Sequence, residues 1–552
     1  MHHLIRLGTA LLCAAFLAAP SAFAVTADEE AARIEKLAAM EPEQTGETAV
    51  QPLMEIEKTW EIEDTHALSS APLVTSLSFC RGEMGEDMES RTFYAPIGTG
   101  LSEWPKLAMT ACGADEMRVA WVDDYAWDDP GEAVRSGTAY QLIAWTESAY
   151  EYLYVVFTGL PVMSIRTFES AAPSTDYSPA YIALADGEAD AVSSVAQIHI
   201  RGGGVRAEDD QKAEASGDSE SDEKISYRIE FQKKKDKKAG YKKNRIGLLG
   251  MPEDSDWILL SNTVDLTHVH NYMAFRLWTD FNADASAFNT LQSRMVELCL
   301  NGKYMGVYQL IQRVKPEREL EEAGFAKTDV AARLISKFSI EERPVFRFDT
   351  KVLELRYQPE GKTADECFSL YGDYVKLMDP ATDDETFASL AAERLDVRQI
   401  MRFFVFHQSV VLDTDNILNN VYIWAVKKDG GLKYLFSPWD MDRSLTVSNL
   451  KDYLINEKMT IPIRMLDLNL PGAREALWAE WALQRSGPLS DDALGDSMAA
   501  VESEMNATGA WIRDALRWNT ENGNLELGET RDALILHLSD LEEEMQRRWP
   551  LN

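Results

Sequence analysis

The sequence predicts a mixed α/β (α+β) protein, strand-rich before about residue 385 and helical beyond it. Three observations carry this. Alternating, aromatic-rich segments between Gly/Asp turns recur from about residue 71, as in Met117-Arg-Val-Ala-Trp-Val, Ala139-Tyr-Gln-Leu-Ile-Ala-Trp and Glu151-Tyr-Leu-Tyr-Val-Val-Phe. A hairpin pattern runs from Val421 through an Asp429-Gly-Gly turn to Phe436. Apolar residues then recur at helical spacing in 397–411 (Ile400, Phe403, Phe404, Phe406, Val410), with Asp396 as the expected cap, and again in 473–484, 490–518 and 530–548.

Taken in order, residues 1–24 read as a signal peptide: Arg6, the apolar run Leu11 to Ala19, Pro20, then Ala22-Phe-Ala24. That run is too short to span a bilayer, and no later stretch is long and apolar enough, so an exported chain without a transmembrane segment is expected. Residues 25–70 are acidic, with one helix expected from Asp28 to Met40 and then a Pro-containing spacer, which together read as a tether. A small β-rich domain or extension is expected over 71–159 and the main body over 160–552. Residues 207–224, almost all charged or small, read as a disordered acidic insertion.

A chain of 552 residues that is 45% hydrophobic can bury a substantial core across two or three domains. The formal charge of −36, from 91 acidic against 55 basic residues, argues against nucleic acid as a partner and suits divalent cations or a basic partner. A salty habitat explains such acidity equally. The run Lys233 to Lys238, with Lys242, Lys243 and Arg245, is a local exception that reads first as a solvated loop. Cys80 and Cys112 lie in the same N-terminal region and could pair in an oxidising compartment, Cys299 reads as a buried strand thiol, and the lack of a C-x-x-C spacing argues against thiolate zinc.

Chemistry concentrates in Asp413-Thr-Asp415-Asn-Ile-Leu-Asn-Asn420, the hairpin, and Trp439-Asp440-Met-Asp442. Asp415 and Asn420 stand in the D-x-x-x-x-N relation of protein-kinase catalytic loops, where the Asp takes a hydroxyl proton and the Asn holds a metal. The hairpin should return the chain so that Asp440 lands beside Asn420. Asx-turns place Asp and Asn in loops for structural reasons as well, so the pair gains force from the hairpin and the W-D-x-D unit together. His268 and His270 lack a third ligand nearby and read as a helix-entry pair without metal; His407 reads as a satisfied core residue. Hydrolase signatures such as G-x-S-x-G and H-E-x-x-H are missing from the sequence.

From about Leu160 onward the chain resembles the CotH kinase family, spore coat protein H and its relatives, which are atypical secreted or surface protein kinases. The features occur in family order: Leu160-Pro-Val-Met-Ser-Ile; Gln197-Ile-His-Ile-Arg201-Gly202; Ile225-Ser-Tyr227-Arg228-Ile-Glu-Phe231; Leu248-Leu-Gly-Met-Pro; Asp256-Trp257; Asp265 and Asn271; Met295 through Tyr308; and the Asp/Asn segments above. The resemblance implies a kinase-like two-lobed fold with a helical C-terminal lobe. It implies transfer of the ATP γ-phosphate, with Mg²⁺ (or Mn²⁺), to Ser/Thr hydroxyls of a secreted or surface acceptor that could be basic and Ser-rich.

In that scheme Asp415 is the base or hydroxyl-positioning group, with Asp413 as its alternative or a brace. Asn420, Asp440 and Asp442 are the metal ligands. Arg201, Arg228, Lys337 and Gln312 fall on the nucleotide side, the two arginines reading equally well as structural ion-pair partners. Departures from the family pattern also lie there: Gly203-Gly204-Val205 replaces a polar run, Gln312 stands where a Glu is common, and His268-Val-His270 replaces an Arg-containing segment. They leave open an alternative, a catalytically inactive binding or structural protein that keeps the fold.

Overall fold

The computed structural model describes residues 27–40, 47–51, 56–79, 82–98, 109–122, 129–187, 191–201, 224–235, 240–265, 267–283, 291–315, 329–337, 353–413, 419–520 and 524–551. The signal-peptide segment, Cys80, Gly203 to Val205, residues 207–223 of the acidic stretch, and Asp415 lie outside the described residues.

The N-terminal part holds two sheets. One runs Glu47–Ala49, Met109–Gly113, Val74–Phe79, Gly82–Glu83; the other runs Gly85–Asp87, Thr92–Pro96, Ala149–Thr158, Ala139–Trp145, Arg118–Trp121. Alternation puts Leu77 and Phe79 of the first and Phe93, Leu142, Val155 and Phe157 of the second into one shared core.

Residues 25–70, read from the sequence as a tether, hold elements that dock on the body. The expected helix forms, Ala27–Ala39, with Leu37 fully buried against Tyr181, Ala183, Val195 and Tyr241, and Glu47–Ala49 pairs with Met109–Gly113. Apolar residues on one face of an otherwise acidic helix suffice to dock it.

Seven strands then close into a barrel. They are β1 (Val162–Thr167), β2 (Ser178–Ala185), β3 (Val192–Arg201), β4 (Ser226–Lys234), β5 (Asp256–Leu260), β6 (Ser293–Leu300) and β7 (Lys303–Gln312). The order is β3-β2-β1-β6-β7-β5-β4, and pairing of β4 with β3 completes the ring. Only the β1–β6 pair is parallel among these contacts. Every second residue points inward, so Ile165, Ile182, Ile198, Ile229, Leu259, Leu298 and Leu310 fill the interior. Closure removes exposed strand edges. The mixed α/β class is as expected; closure into a barrel is not among the expectations.

Outward residues of the barrel, including Ile258, Leu260, Met295, Val307 and Ile311, join the core of helix α1 (His270–Phe281). A second sheet follows in the order β9-β8-β10-β11, with β8 Val330–Lys337, β9 Leu353–Tyr357, β10 Asn419–Lys428 and β11 Gly431–Pro438. Helix α2 (Val397–Phe406) begins where Asp396 accepts the Gln399 N–H at 3.1 Å. Further helices toward the C-terminus include α3 (Val447–Asp452), α4 (Ala473–Arg485), α5 (Ala510–Trp518) and α6 (Gly528–Arg548).

Helix α5 docks on the barrel through charge. Arg513 donates to both carboxylate oxygens of the buried Glu297 on β6, at 2.8 and 2.6 Å. Asp514 accepts from the Val307 N–H at 2.7 Å and from Lys224 at 2.6 Å, and lies 3.1 Å from His268 Nε2. Gly306 makes room for this: its φ is +84°, and a Cβ there would collide with the Asp514 carboxylate. Lys224, assigned by sequence to the acidic insertion, is therefore a buried ion-pair residue.

Candidate active site

Helix α2 passes into a π-helical turn, His407–Val411, and the chain leaves it through Leu412 at a φ of +51° to reach Asp413. Such turns interrupt the helical ladder and redirect the chain, often at functional sites. His407 is buried, with Nδ1–H donating to the Phe403 carbonyl at 3.1 Å, and burial draws its pKa down to about 3. It is a neutral core histidine.

The hairpin supplies the other side. Asp429 and Gly430 both take positive φ, +53° and +78°, the requirement of a type I′ turn. The register pairs Lys428 with Gly431 and Val421 with Pro438. Asn420, one residue before Val421, thus lies beside Trp439 and Asp440, which follow Pro438. Asn420 and Asp440 are themselves left-handed, at φ +59° and +55°, and half-buried. Asn and Asp tolerate that region better than other side chains, though at a cost that surrounding structure must hold in place.

Trp439 fixes the strand exit. Its ring packs edge-on to Phe275 of α1 at 5.8 Å and near Tyr422 at 6.1 Å, while the Arg201 guanidinium lies over it at 4.9 Å. The next residues are anchored from three directions. The Met441 N–H donates to Asn271 Oδ1 at 2.9 Å, Ser444 Oγ donates to the Met441 carbonyl at 2.6 Å, and the Leu445 N–H donates to the Val410 carbonyl of the π-turn at 2.9 Å. Asn449 of α3 donates to Asp413 at 3.5 Å.

The electrostatics follow from this crowding. Burial and the adjacent Asp440 charge, with further contributions from Asp265 and Asp413, push the Asp442 carboxyl up to about 7 against the opposing pull of Arg443. Asp265 is held by the His270 and Thr267 N–H groups, each at 2.8 Å. Arg201 stands on the flank. Burial draws its pKa down and the Asp440 charge opposes that shift.

Further along the outer face of the barrel, Arg228 donates to Asp256 at 2.8 Å and approaches the Tyr177 ring. Asp256 is completely buried, and Lys315 (2.7 Å), Lys243 (3.2 Å) and Arg313 (3.6 Å) also surround it. Burial alone would raise its pKa, yet the hydrogen-bonded Lys315 and Arg228 hold it far below the carboxylate range. The sequence singled out Arg228 and Asp256 but nothing in it pointed to Lys315 or Arg313 as their partners.

The other nucleotide-side candidates are placed as follows. Gln312 is buried and donates to the Pro252 carbonyl at 2.8 Å, tying β7 to the turn before β5. The Lys337 backbone pairs with Asn419, which brings the end of β8 to the start of β10. The charges of Asp440 and Asp413 both act on the Asp442 carboxyl, and that of Asp440 acts on Arg201. Asp265 was noticed in the sequence only as a landmark, yet it belongs to this group.

A family model described as CotH kinase protein matches residues 198–546. The chain belongs to the CotH family. The match begins in β3, three residues before Arg201, and ends within α6, so it covers the hairpin and every candidate residue named above. Strands β1 and β2, which this CotH-family chain needs to close its barrel, precede the matched region. No curated protein matches the chain. No helix among the described residues is long and apolar enough to cross a membrane.

The metal implied by the family fits the donor chemistry here. Asp440 and Asp442 offer carboxylates and Asn420 an amide oxygen, all hard ligands suited to Mg²⁺ or Mn²⁺. Among the described residues no three His, Cys, Asp or Glu side chains are grouped to hold an ion by themselves. Mg²⁺ is commonly held by one or two carboxylates with substrate phosphates completing its shell.

Proposed function

We propose that this CotH-family chain is an exported phosphotransferase that moves the γ-phosphoryl of ATP to Ser or Thr hydroxyls of a secreted or surface protein. In this reading the barrel with its attached sheet and the helical region act as the two lobes of an atypical kinase. The observation that carries it is the carboxylate crowding at the hairpin exit. Burial, and then the charges of Asp440, Asp265 and Asp413 against the pull of Arg443, raise the Asp442 carboxyl to about 7. Such a group is repulsive until positive charge is added and becomes favourable once it is.

Asn420, Asp440 and Asp442 would hold Mg²⁺ or Mn²⁺, which when bound neutralises charge on the transferred phosphoryl group. Arg201, which lies over the Trp439 ring and within the field of Asp440, would receive phosphate oxygens. Arg228 would contribute positive potential from its place in the Asp256 cluster rather than a free guanidinium. Asp415 would accept the hydroxyl proton or orient the hydroxyl, with Asp413 as the brace at the start of the same loop. Export rests on the leader-like pattern of residues 1–24.

A second reading, an inactive member that keeps the fold, is favoured by one observation. Arg228 and Gln312, both on the nucleotide side, are already bonded to Asp256 and Pro252. Transfer of labelled phosphate from ATP to the chain itself or to a basic, Ser-rich peptide decides between them. Active wild type, with Asp415→Ala and Asp440→Ala each reduced about 100-fold or more while folded, supports the kinase reading. Equal incorporation by all three would reject the assigned roles.

A further inference from the structure

Asn271 is completely buried in the first turn of α1, and its side chain is shared between the metal loop and the barrel. Its Oδ1 accepts the N–H of Met441, the residue between Asp440 and Asp442, at 2.9 Å. Its Nδ2 donates to Gln309 Oε1 on β7 at 3.0 Å. The same Gln309 oxygen takes the Asn262 Nδ2 at 3.0 Å, and Gln309 Nε2 reaches Ser293 Oγ on β6 at 3.0 Å. Gln309 is also fully buried.

This pattern admits one consistent set of amide orientations. Two N–H donors converge on Gln309, so its oxygen must face them and its nitrogen must face Ser293. With its nitrogen committed to Gln309, Asn271 can present only oxygen to Met441, whose N–H requires an acceptor. Reversing the Asn271 amide would place N–H against N–H at Met441 and oxygen against oxygen at Gln309.

We infer that Asn271 is a positioning residue for the Asp440–Asp442 loop, and that Gln309 sets the orientation in which it acts. The claim rests on the phosphotransferase reading only in taking this loop as a metal loop. Met441 touches no ligand itself, but its backbone fixes the separation and direction of the carboxylates on either side. Groups that hydrogen-bond a metal ligand alter affinity about 10- to 100-fold when removed, and Asn271, acting through the backbone between two ligands, is expected at the lower end of that range.

The test measures Mn²⁺ binding by the free-ion electron paramagnetic resonance signal, with the full chain and ADP present. Alongside it run phosphate-transfer assays on wild type, Asn271→Ala, Gln309→Leu and Gln309→Glu. Asn271→Ala should weaken Mn²⁺ binding at least about tenfold. Gln309→Leu, which touches neither Met441 nor a ligand, should shift it in the same direction. Gln309→Glu should restore near-wild-type affinity, because a buried Glu stays protonated: its carbonyl oxygen accepts both Asn donors and its hydroxyl faces Ser293.

A purely structural role would lower stability of both Gln309 variants without separating their metal affinities. Unchanged affinity in Gln309→Leu, or equal weakening by Leu and Glu in folded protein, overturns the inference even if Asn271→Ala fails to fold. Wild type that binds Mn²⁺ and shows this pattern but transfers no phosphate would sink the kinase reading and leave the positioning claim standing. Wild type that binds no Mn²⁺ overturns both.

Discussion

At the residue scale the site depends on side chains that tolerate unusual backbone. Asn420 and Asp440 both adopt left-handed φ at the two ends of the hairpin, and Leu412 does so just before Asp413. Short polar side chains lower the cost of that conformation for the first two; Leu412 is held because the π-turn and the core leave the chain no other exit. The sequence offers Asp413, Asn420, Asp440 and Asp442 as candidates through the D-x-x-x-x-N loop, the hairpin, the W-D-x-D unit and the family resemblance together. Their backbone conformations were not legible there, because no local pattern distinguishes a strained Asp from one in an ordinary Asx-turn.

His407 gives a residue-scale prediction with a defined sign. Its pKa in the folded chain, about 3, lies below the ordinary value near 6.5 for an exposed histidine. Unfolding therefore takes up a proton below pH 6.5. The stability tied to the neutral ring is complete above that pH and is lost progressively as pH falls toward 3. Urea unfolding at pH 6.5 and 5 should show wild type losing about 1.5–2 kcal/mol more than His407→Gln. Identical losses in the two proteins would mean that His407 is not buried neutral.

Elements divide into those set by local pattern and those set by distant partners. The hairpin was legible because Asp429-Gly430 demands positive φ at both positions and the flanking alternation fixes register. Helix α2 was legible from its spacing and from Asp396. The closed barrel was not, because closure rests on β3 pairing with β4, in which Arg201 meets Ser226 across an intervening acidic stretch. Lys224 shows the same limit. A charged residue at the edge of a charged stretch reads as solvated until Asp514, 290 positions on, is seen to cover it.

The α5–barrel contact yields the element-scale prediction. Glu297 is completely buried, and its two oxygens are met by Arg513 and by the Tyr304 hydroxyl at 2.6 Å. Removing one partner of such a pair strands the other charge. Arg513→Met should lower stability by about 3–5 kcal/mol in chemical denaturation, and adding Glu297→Leu should recover a large part of it. A loss under about 1 kcal/mol for Arg513→Met would show that α5 is held by packing rather than by this pair.

On the scale of the whole molecule, charge is distributed against the average. A chain of formal charge −36 gathers Arg201, Arg228, Lys243, Arg313 and Lys315 on one outer flank of its barrel. Asp440 and Asp442 lie at the adjoining hairpin exit, with Asp265 and Asp413 near enough to act on Asp442. The acidic cluster favours cations, while the basic flank, largely paired with Asp254, Asp256 and Glu230, retains an excess of positive charge. In the phosphotransferase reading a polyphosphate carrying divalent metal would meet both clusters. Composition gave the sign of the average; only the fold shows that the exceptions lie beside the carboxylates.

The most direct measurement is anomalous diffraction from a crystal soaked with Mn²⁺ and a non-hydrolysable ATP analogue. The account predicts a Mn²⁺ peak about 2–2.5 Å from oxygens of Asp440 and of Asn420 or Asp442, with phosphate density reaching toward Arg201. Nucleotide bound elsewhere, or Mn²⁺ absent from the hairpin exit while nucleotide is present, would contradict it.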